Sequence, residues 1–347
     1  MRRTEPPAPP RAVPRPPPPA GPPARLVGRY ELADRVGLGA MGSVWRAWDH
    51  QSGRWVGAKV LDQTTAAGDA GMLLRFVREQ SVRVAHPHVV APTGWAAEDH
   101  LVVLTMDLVR GGSLDDLLAE HGPLPETYVR VLLAQLLRAL AAVHEAGVVH
   151  RDVKPANLLL EPTAGARPHL RLGDFGVATL LHEPRLTRHP GAVGTDGYMA
   201  PEQRRGALPD PRQDLYAAGV VALQLLTGRT PTPQGPPVLP VLPAPADPQP
   251  GDLAGLLAAL TSPDPAHRPP TALAALERLH RLGVPPGMPW DELPHPPHVP
   301  DRLGEPAPPR SSRADPTGAR ARTTLAALCL AGASALCLVA LGLLLTG

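Results

Sequence analysis

Proline is the feature that most constrains how this chain can fold. The 347 residues include 47 prolines, and many of them fall in three tracts at residues 6–23, 231–250 and 285–309. Proline lacks a backbone N–H and interrupts helix and sheet hydrogen bonding, so such tracts do not build a domain core. The foldable part is therefore predicted to lie at about residues 29–282, enough for one large domain or two ordinary ones.

The proline-rich ends are predicted to be non-globular. Residues 1–28 are interpreted as a disordered or polyproline II tail, which is either a spacer or a ligand for a proline-binding domain. Residues 283–323 are interpreted as a Pro/Arg-rich juxtamembrane linker. The first residues contain no apolar run, so no signal peptide is predicted.

Residues 324–345 are predicted to be a transmembrane helix. They contain no charged residue, and at 1.5 Å per residue they can cross a hydrocarbon core of about 30 Å. The alternative is a buried core helix. Arginines precede this segment, which favours a cytoplasmic location for the preceding domain. We therefore expect a single-pass protein of the cell membrane that contacts the lipid bilayer through this helix, with a homodimer possible through its small residues.

The overall charge and the cysteines exclude some classes of protein. A net charge of only +2 gives no general case for nucleic-acid binding, so no nucleic-acid partner is expected. Cys329 and Cys337 both lie in the terminal apolar segment. The rest of the chain therefore has no disulfide framework, which suits a reducing cytoplasm.

The periodicity of the foldable part predicts an α+β protein with two lobes and a cleft between them. Residues 29–107 are predicted to be strand-rich, with a helix at Met72–Ala85 and a strand at Leu101–Leu108. Residues 108–282 are predicted to be helical. The predicted helices of this second lobe are Pro125–Glu145, Asp214–Thr227, Asp252–Leu260 and Thr271–Leu282.

A glycine-rich run near the start of the strand-rich lobe predicts a phosphate-binding turn. Its residues are Val36, Gly37, Leu38, Gly39, Ala40, Met41, Gly42, Ser43 and Val44. Glycine lets backbone N–H groups approach phosphates closely. Dinucleotide-binding folds share the G-x-G-x-x-G pattern but continue into a helix. Here Val44–Trp48 continues as a strand pattern, which favours a hairpin that covers the phosphates of a nucleotide.

Lysine and asparagine are unusually rare in this chain. Lys59 and Lys154 are its only lysines and Asn157 its only asparagine. Arginine supplies nearly all the other positive charge, so the retained lysines are predicted to occupy places where a compact charge is required. Lys59 follows an apolar strand pattern and is predicted to pair with Glu79 on the helix at Met72–Ala85; a surface lysine and a solvated glutamate are the alternatives.

The segment from His150 to Asn157 concentrates groups suited to phosphoryl transfer. Asp152 can accept the proton of an attacking hydroxyl, and Lys154 can neutralise the moving phosphoryl group. Asn157 can bind Mg²⁺ through its side-chain oxygen, as can Asp174 in the later run Asp174-Phe175-Gly176. Phe175 either packs against the helix that carries Phe76 or is an unrelated core aromatic residue.

Taken together, residues 29–282 resemble the bacterial, membrane-bound, eukaryotic-like serine/threonine protein kinases. The resemblance implies a bilobal kinase fold, ATP and Mg²⁺ (or Mn²⁺) as cofactors, and transfer of the γ-phosphate to serine or threonine hydroxyls of protein substrates in bacterial signalling. Lys154 resembles the serine/threonine branch of the family rather than the tyrosine branch. A pseudokinase scaffold and a small-molecule kinase are the alternatives.

The resemblance also implies roles for residues outside these motifs. Met106 resembles the gatekeeper, with Asp107 to Val109 as the hinge beneath adenine. Asp214 resembles the aspartate that braces the catalytic loop, and Glu202 is expected to pair with Arg268. Thr195 resembles the threonine that contacts the catalytic aspartate. The activation segment offers Thr179, Thr187 and Thr195 for autophosphorylation, and Thr187 is the best placed of the three, with Arg151 as partner of its phosphate.

Two departures from the family pattern limit what the resemblance implies. Gly57 stands where the family usually has alanine, which is expected to loosen the roof over adenine and raise the ATP requirement. The proline-rich loop at 231–250 replaces a helix used for substrate docking. Substrate choice is therefore not implied by the resemblance.

Overall fold

A computed structural model of the chain describes residues 25–39, 42–62, 84–98, 101–163, 165–175, 179–180, 197–232 and 252–304. The chain divides into two compact units, Met1–Glu305 and Pro306–Gly347. All described residues belong to the first of these units. The predicted transmembrane segment and most of the tail lie outside the described residues.

The first lobe contains a six-stranded antiparallel sheet with the order β1-β2-β3-β4-β6-β5. The strands are β1 (Arg25–Val27), β2 (Tyr30–Gly39), β3 (Gly42–Asp49), β4 (Arg54–Asp62), β5 (Pro92–Glu98) and β6 (Leu101–Asp107). Tyr30, Ala47, Ala58 and Val103 are buried together in the core of this sheet. This confirms the predicted strand-rich lobe.

Two boundaries predicted for this lobe are wrong. Strand β1 begins at Arg25, inside the segment 1–28 interpreted as a tail, and pairs with β2. This pairing is possible because the prolines of the tail end at Pro23, which leaves the following backbone N–H groups free to donate. Val84 and Ala85, predicted to end a helix, are not helical. The rest of that helix, including Glu79 and Phe76, lies outside the described residues.

The second lobe is mainly helical, as predicted. Its described helices are α1 (Leu114–His121), α2 (Glu126–Glu145), α3 (Pro201–Arg204), α4 (Pro211–Thr227), α5 (Leu253–Leu260) and α6 (Ala272–Arg281). Its short strands are β7 (Val148–Val149), β8 (Leu158–Glu161), β9 (His169–Leu172) and β10 (Thr179–Leu180). Helix α2 lies at the centre of the lobe, with Leu132, Leu136 and Leu140 almost inaccessible to solvent.

Helix α4 begins earlier than predicted, at Pro211 instead of Asp214. The Asp210 side chain accepts the backbone N–H of Arg212 at 2.8 Å, and Pro211 occupies the first turn, where its missing N–H costs no helical bond. Neither Asp210 nor Pro211 belongs to the periodic run of apolar residues, so this periodicity, which predicts a start at Asp214, does not detect the first turn.

Residues 283–304 are packed against the lobe, so their prediction as part of a linker is wrong. Trp290 is 1% exposed, and its ring meets Tyr128 edge-on with centroids 4.9 Å apart. Val299 is also 1% exposed. The segment forms one short 3-10 helix at Pro289–Glu292, and its prolines do not prevent burial of the apolar side chains between them.

No helix in the described part of the chain is both long enough and apolar enough to span a bilayer. Residues 324–345 lie outside the described residues. The transmembrane helix therefore stays a prediction.

Candidate active site

The glycine-rich run forms the hairpin between β2 and β3. Gly37 lies opposite Val44, Leu38 opposite Ser43, and Gly39 opposite Gly42. Ala40 and Met41 at the tip lie outside the described residues. Strand β3 continues from Gly42 to Asp49 without an intervening helix, so the predicted hairpin is confirmed and the strand-to-helix turn of a dinucleotide-binding site is excluded here. That the hairpin covers the phosphates of a nucleotide stays a prediction.

Lys59 lies on β4, between Val44 of β3 and Leu104 of β6. It is 7% exposed, so the surface-lysine alternative is excluded. Its Nζ lies 2.7 Å from Asp174 Oδ1. Glu79, its predicted partner, lies outside the described residues, so that ion pair stays a prediction.

The segment from His150 to Asn157, here called the catalytic segment, is held in place by Asp214, which is buried in α4. Asp214 Oδ2 accepts the backbone N–H of His150 at 2.9 Å, and Oδ1 accepts that of Arg151 at 2.7 Å. Arg151 has a φ of 66°, an uncommon value for a residue with a Cβ. The two hydrogen bonds offset the cost of this conformation. The bracing role implied for Asp214 is thereby confirmed.

His144 supports Asp214 from the end of α2. Its Nε2 lies 2.8 Å from Asp214 Oδ2. Burial by itself raises the pKa of Asp214, but the hydrogen bonds and charges of His144 and His150, with the Arg151 backbone, bring the net pKa below its usual value. Nothing in the sequence pattern singled out His144, since it lies beside the apolar face of its helix.

Asp152, Lys154 and Asn157 form one cluster, as predicted from the motif. Lys154 Nζ lies 2.8 Å from Asp152 Oδ2. Asn157 Nδ2 donates to the Asp152 backbone oxygen at 2.8 Å and to Oδ2 at 3.1 Å. The carboxylate is therefore oriented by a cation and an amide, as a positioned proton acceptor requires.

The β8–β9 hairpin places the two predicted metal ligands on neighbouring chain segments. Leu158 pairs with Leu172, and the Gly173 N–H donates to the Asn157 backbone oxygen at 2.9 Å. Asp174 follows directly, with a φ of 59°. One carboxylate and one amide oxygen are hard ligands of the kind that Mg²⁺ takes beside substrate phosphates, so these residues fit such an ion.

Gly57 and Met106 face each other across β4 and β6 at the back of the nucleotide cleft. They are register partners, and a Cβ on Gly57 would lie 3.3 Å from Met106 Cγ and 3.4 Å from the Asp107 backbone oxygen. Glycine therefore leaves room for the methionine predicted as gatekeeper. The alanine expected from the family would meet this larger side chain.

The predicted hinge follows β6 and connects the two lobes. The Asp107 carboxylate accepts from Arg171 Nη2 at 2.9 Å, which ties the start of the hinge to strand β9. Val109 is half-buried. The start of the hinge, at the predicted adenine site, is therefore held against the second lobe by this contact.

Phe175 packs within the second lobe, where it is 1% exposed. Its ring lies 4.9 Å from that of His150. His150 Nε2 donates to the Gly173 backbone oxygen, and its Nδ1 accepts the Asp152 N–H. His150 therefore connects the catalytic segment to residues 173–175, which include the predicted metal ligand Asp174. The predicted contact with Phe76 is untested, because Phe76 lies outside the described residues.

The activation segment, which the resemblance places between the run Asp174-Phe175-Gly176 and Glu202, is described only at its two ends. Strand β10 pairs with β7, and Thr187 and Thr195 lie outside the described residues, so their predicted roles are untested. At the far end, Arg268 makes two contacts with Glu202, at 2.7 and 2.9 Å. The Arg268 side chain has no exposed area. The predicted ion pair is thus confirmed and buried.

Gln203, like His144, is a residue of the site that the sequence analysis did not predict. It is 3% exposed, and its Nε2 donates to the Arg151 backbone oxygen at 3.0 Å. It therefore links the end of the activation segment to the catalytic segment. Its position directly after Glu202 was the only available signal.

These contacts bring the predicted site residues of both lobes together. Lys59 from the sheet contacts Asp174 from the helical lobe. The cluster around Asp152 is connected to Asp174 by two hydrogen bonds: Asn157 donates to Asp152, and the N–H of Gly173, the residue before Asp174, donates to the Asn157 backbone oxygen. Carboxylates, an amide and two cations thus lie on connected chain segments, an arrangement suited to phosphoryl transfer.

Comparisons with known proteins agree with this geometry. A sequence profile of the protein kinase domain matches residues 30–237. The chain is 43% identical over 216 residues to serine/threonine-protein kinase PkaA of Streptomyces coelicolor, an alignment that covers 58% of this chain and 39% of PkaA.

Two further relatives carry similar names. Serine/threonine-protein kinase PknL of Mycobacterium tuberculosis is 37% identical over 210 residues, covering 60% of this chain and 51% of PknL. Serine/threonine-protein kinase PrkC of Bacillus subtilis is 34% identical over 209 residues, covering 60% of this chain and 32% of PrkC. The matched region is thus between about a third and a half of each relative. The profile spans more than half of this chain, and the chain belongs to the protein kinase family.

Proposed function

We propose that this protein is a serine/threonine protein kinase that transfers the γ-phosphate of ATP to protein hydroxyls in bacterial signalling. The observation that carries the proposal is the cluster of Asp152, Lys154 and Asn157, joined to the contact between Asp174 and Lys59. The names of PkaA, PknL and PrkC support the choice of serine/threonine over tyrosine kinase.

Each residue of the cluster has one task in the proposed reaction. Asp152 orients the substrate hydroxyl and accepts its proton as the oxygen attacks the γ-phosphorus. Lys154 neutralises charge on the phosphoryl group during transfer, and Lys59 positions the α- and β-phosphates. Positioning and charge stabilisation supply most of the rate, because little covalent chemistry falls to the protein.

Asn157 and Asp174 are proposed to hold Mg²⁺, which Mn²⁺ can replace. A metal ion held by these residues would supply positive charge that stabilises the phosphates of ATP. The described side chains leave ligand positions for these phosphates, because Asn157 and Asp174 contribute only one amide and one carboxylate.

The pair of Glu202 and Arg268 favours a protein kinase over a small-molecule kinase. The contact is buried and bidentate, and it fixes the end of the segment on which a protein substrate rests. Small-molecule kinases resemble the catalytic core but lack this arrangement. The presence of Lys59, Asp152, Asn157 and Asp174 likewise favours an active enzyme over a pseudokinase scaffold.

The location and regulation are proposed from the sequence. Residues 324–345 would anchor the protein in the cell membrane with the kinase domain in the cytoplasm, and Thr187 would be autophosphorylated. Membrane fractionation with and without residues 324–345 tests the first point. Phosphosite mapping of the full chain tests the second. The molecular mass of the same full chain in detergent shows whether it forms a homodimer.

An assay with labelled ATP tests the proposed activity. The full chain in detergent is supplied with Mg²⁺ and a generic protein acceptor, and it is compared with Asp152→Asn. Labelling of serine or threonine by the parent alone is expected. If the parent labels neither itself nor the acceptor, the proposed function is wrong, and ATP binding without transfer indicates a scaffold.

A further inference from the structure

Residues 297–304, here called the hinge strap, end at the predicted nucleotide site. The chain reaches them from α6 along the helical lobe, where Arg167 Nη1 donates to the Pro285 and Gly287 backbone oxygens, both at 2.7 Å. The Thr163 N–H then donates to the Val299 backbone oxygen at 3.2 Å. The hinge strap is therefore held along its approach to the cleft.

Arg302 of the strap contacts the backbone that follows the hinge. Its N–H donates to the Arg110 backbone oxygen, and its Nε donates to the Gly111 backbone oxygen, both at 2.9 Å. Its other guanidinium nitrogens contact Glu120 of α1 at 2.7 and 2.8 Å. The pKa of Glu120 is lowered by this pairing. One residue therefore connects the hinge to the first helix of the second lobe.

The two glycines that follow the hinge, Gly111 and Gly112, fit this contact. A Cβ on Gly111 would lie 2.4 Å from the Leu160 backbone oxygen and 2.5 Å from Val299 Cγ1. A Cβ on Gly112, whose φ is +84°, would lie 2.6 Å from Arg302 Nε. Only glycine permits so close an approach of hinge and strap.

The strap also reaches the first lobe. Arg46 Nη1 donates to the Leu303 backbone oxygen at 2.9 Å. Arg46 lies on β3, the strand that leads away from the glycine-rich hairpin, and Asp34 of β2 accepts two hydrogen bonds from its guanidinium. The strap thus contacts both the backbone that follows the hinge and strand β3, which lie on two sides of the predicted nucleotide site.

We propose that the hinge strap is a positioning element of the nucleotide site, with Arg302 as its principal positioning residue. Arg302 sets the hinge backbone against the adenine, and Leu303 sets the distance from the hinge to β3. The proposal rests on the proposed function for the identity of the nucleotide. The strap lies beyond residues 30–237, which match the protein kinase domain, so nothing in that match assigns it a role.

The test compares Arg302→Gln, Arg302→Lys and Glu120→Gln in the full chain in detergent. Arg281→Gln is the control, because Arg281 is exposed at the end of α6 and has no ion pair within the described residues. The readouts are the Kd for ATP from competition with a fluorescent nucleotide, the KM for ATP, kcat and Tm.

Arg302→Gln is expected to raise the Kd and the KM for ATP about five- to tenfold, as loss of a charge-assisted contact does, with kcat within about twofold. Arg302→Lys keeps the charge but loses the planar fork, so a smaller rise is expected. Glu120→Gln should shift both constants in the same direction. The variant that carries both Arg302→Gln and Glu120→Gln should bind ATP no more weakly than Arg302→Gln alone, because the two changes remove the same interaction.

An unchanged Kd in Arg302→Gln overturns the proposal, whether or not Tm falls, because the strap would then only stabilise the fold. A fall in kcat at unchanged Kd overturns it as well. If the parent binds ATP without transferring phosphate, and Arg302→Gln weakens that binding, the strap proposal stands and the proposed function fails. Absence of ATP binding by the parent overturns both.

Discussion

Lys59 Nζ lies 2.7 Å from Asp174 Oδ1, across 115 positions of the chain. The lysine comes from the sheet of the first lobe, and the aspartate follows strand β9 of the second. The contact therefore exists only when the two lobes are placed together. It brings the predicted phosphate-binding cation and a predicted metal ligand to one point.

Lys59→Arg should lower phosphoryl transfer by about a hundredfold or more, a loss typical of removing one well-placed electrostatic group. Arginine keeps the charge, but its larger planar head does not fit a site where the lysine is 7% exposed. Initial rates with labelled ATP give the loss, and Tm should stay within a few degrees. Retained turnover in a folded variant would contradict the requirement for a compact charge.

Asp152→Asn should lower kcat by roughly a hundredfold to ten-thousandfold, because it removes the proposed proton acceptor. The amide can keep the hydrogen-bonding position beside Asn157, so ATP binding should change little. Glu277→Gln, an exposed change on α6, is the matched control. Equal kcat in parent and Asp152→Asn would assign the proton transfer to another group.

Asp214→Asn should destabilise the fold by about 3 kcal/mol and lower activity, because a buried acceptor of several hydrogen bonds loses its charge. Its folded-state pKa lies below the ordinary 3.8, so the ionised form stabilises the folded state. This contribution is complete above the ordinary pKa and is lost as pH falls through the lower folded value.

Urea unfolding between pH 3 and pH 7 measures this contribution. The parent should lose stability at the acidic end, below about pH 4, more steeply than Asp214→Asn does. Parallel curves for the two proteins would show that protonation of Asp214 is not linked to folding.

Arg268→Lys should cost about 2 to 4 kcal/mol of the free energy of unfolding, although it conserves charge. Lysine can replace only one of the two contacts with Glu202 and loses the stacking of Arg268 over Tyr216, 4.9 Å from the ring centroid. Arg278→Lys on α6 is the control. A cost equal to that of the control would mean that the buried pair contributes no stability.

Gly57→Ala should lower the KM for ATP about two- to fourfold, the effect of burying one methyl group against adenine. The added Cβ meets Met106 Cγ at 3.3 Å, and a methionine side chain can yield by a few tenths of an ångström. Steady-state kinetics at varied ATP measure the change. A higher KM would show that Met106 is displaced into the nucleotide site.

The chemistry of the site was predictable because its residues are grouped locally. Asp152, Lys154 and Asn157 fall within six positions of one another, and the glycine-rich run is followed by a strand pattern instead of a helical one. Short motifs of this kind keep their meaning without knowledge of distant contacts. The pairing of Glu202 with Arg268 came from the family resemblance, since no local pattern joins residues so far apart.

The parts that were wrong or missed depend on distant contacts. The prolines of residues 283–304 predict a linker, yet Trp290 and Val299 are buried and Arg302 reaches the hinge. His144 has no motif, and its contact with Asp214 depends on how α2 packs against α4. Local periodicity carries no information on which surfaces meet.

The sequence by itself therefore determined the family, the lobes and the reactive groups, because each rests on residue types at short spacing. Only the tertiary structure decided that Lys59 meets Asp174, that Asp214 anchors the catalytic segment, and that the last described residues return to the nucleotide cleft. These contacts form when burial and hydrogen bonding across the whole fold bring separated segments together, and no single segment specifies them.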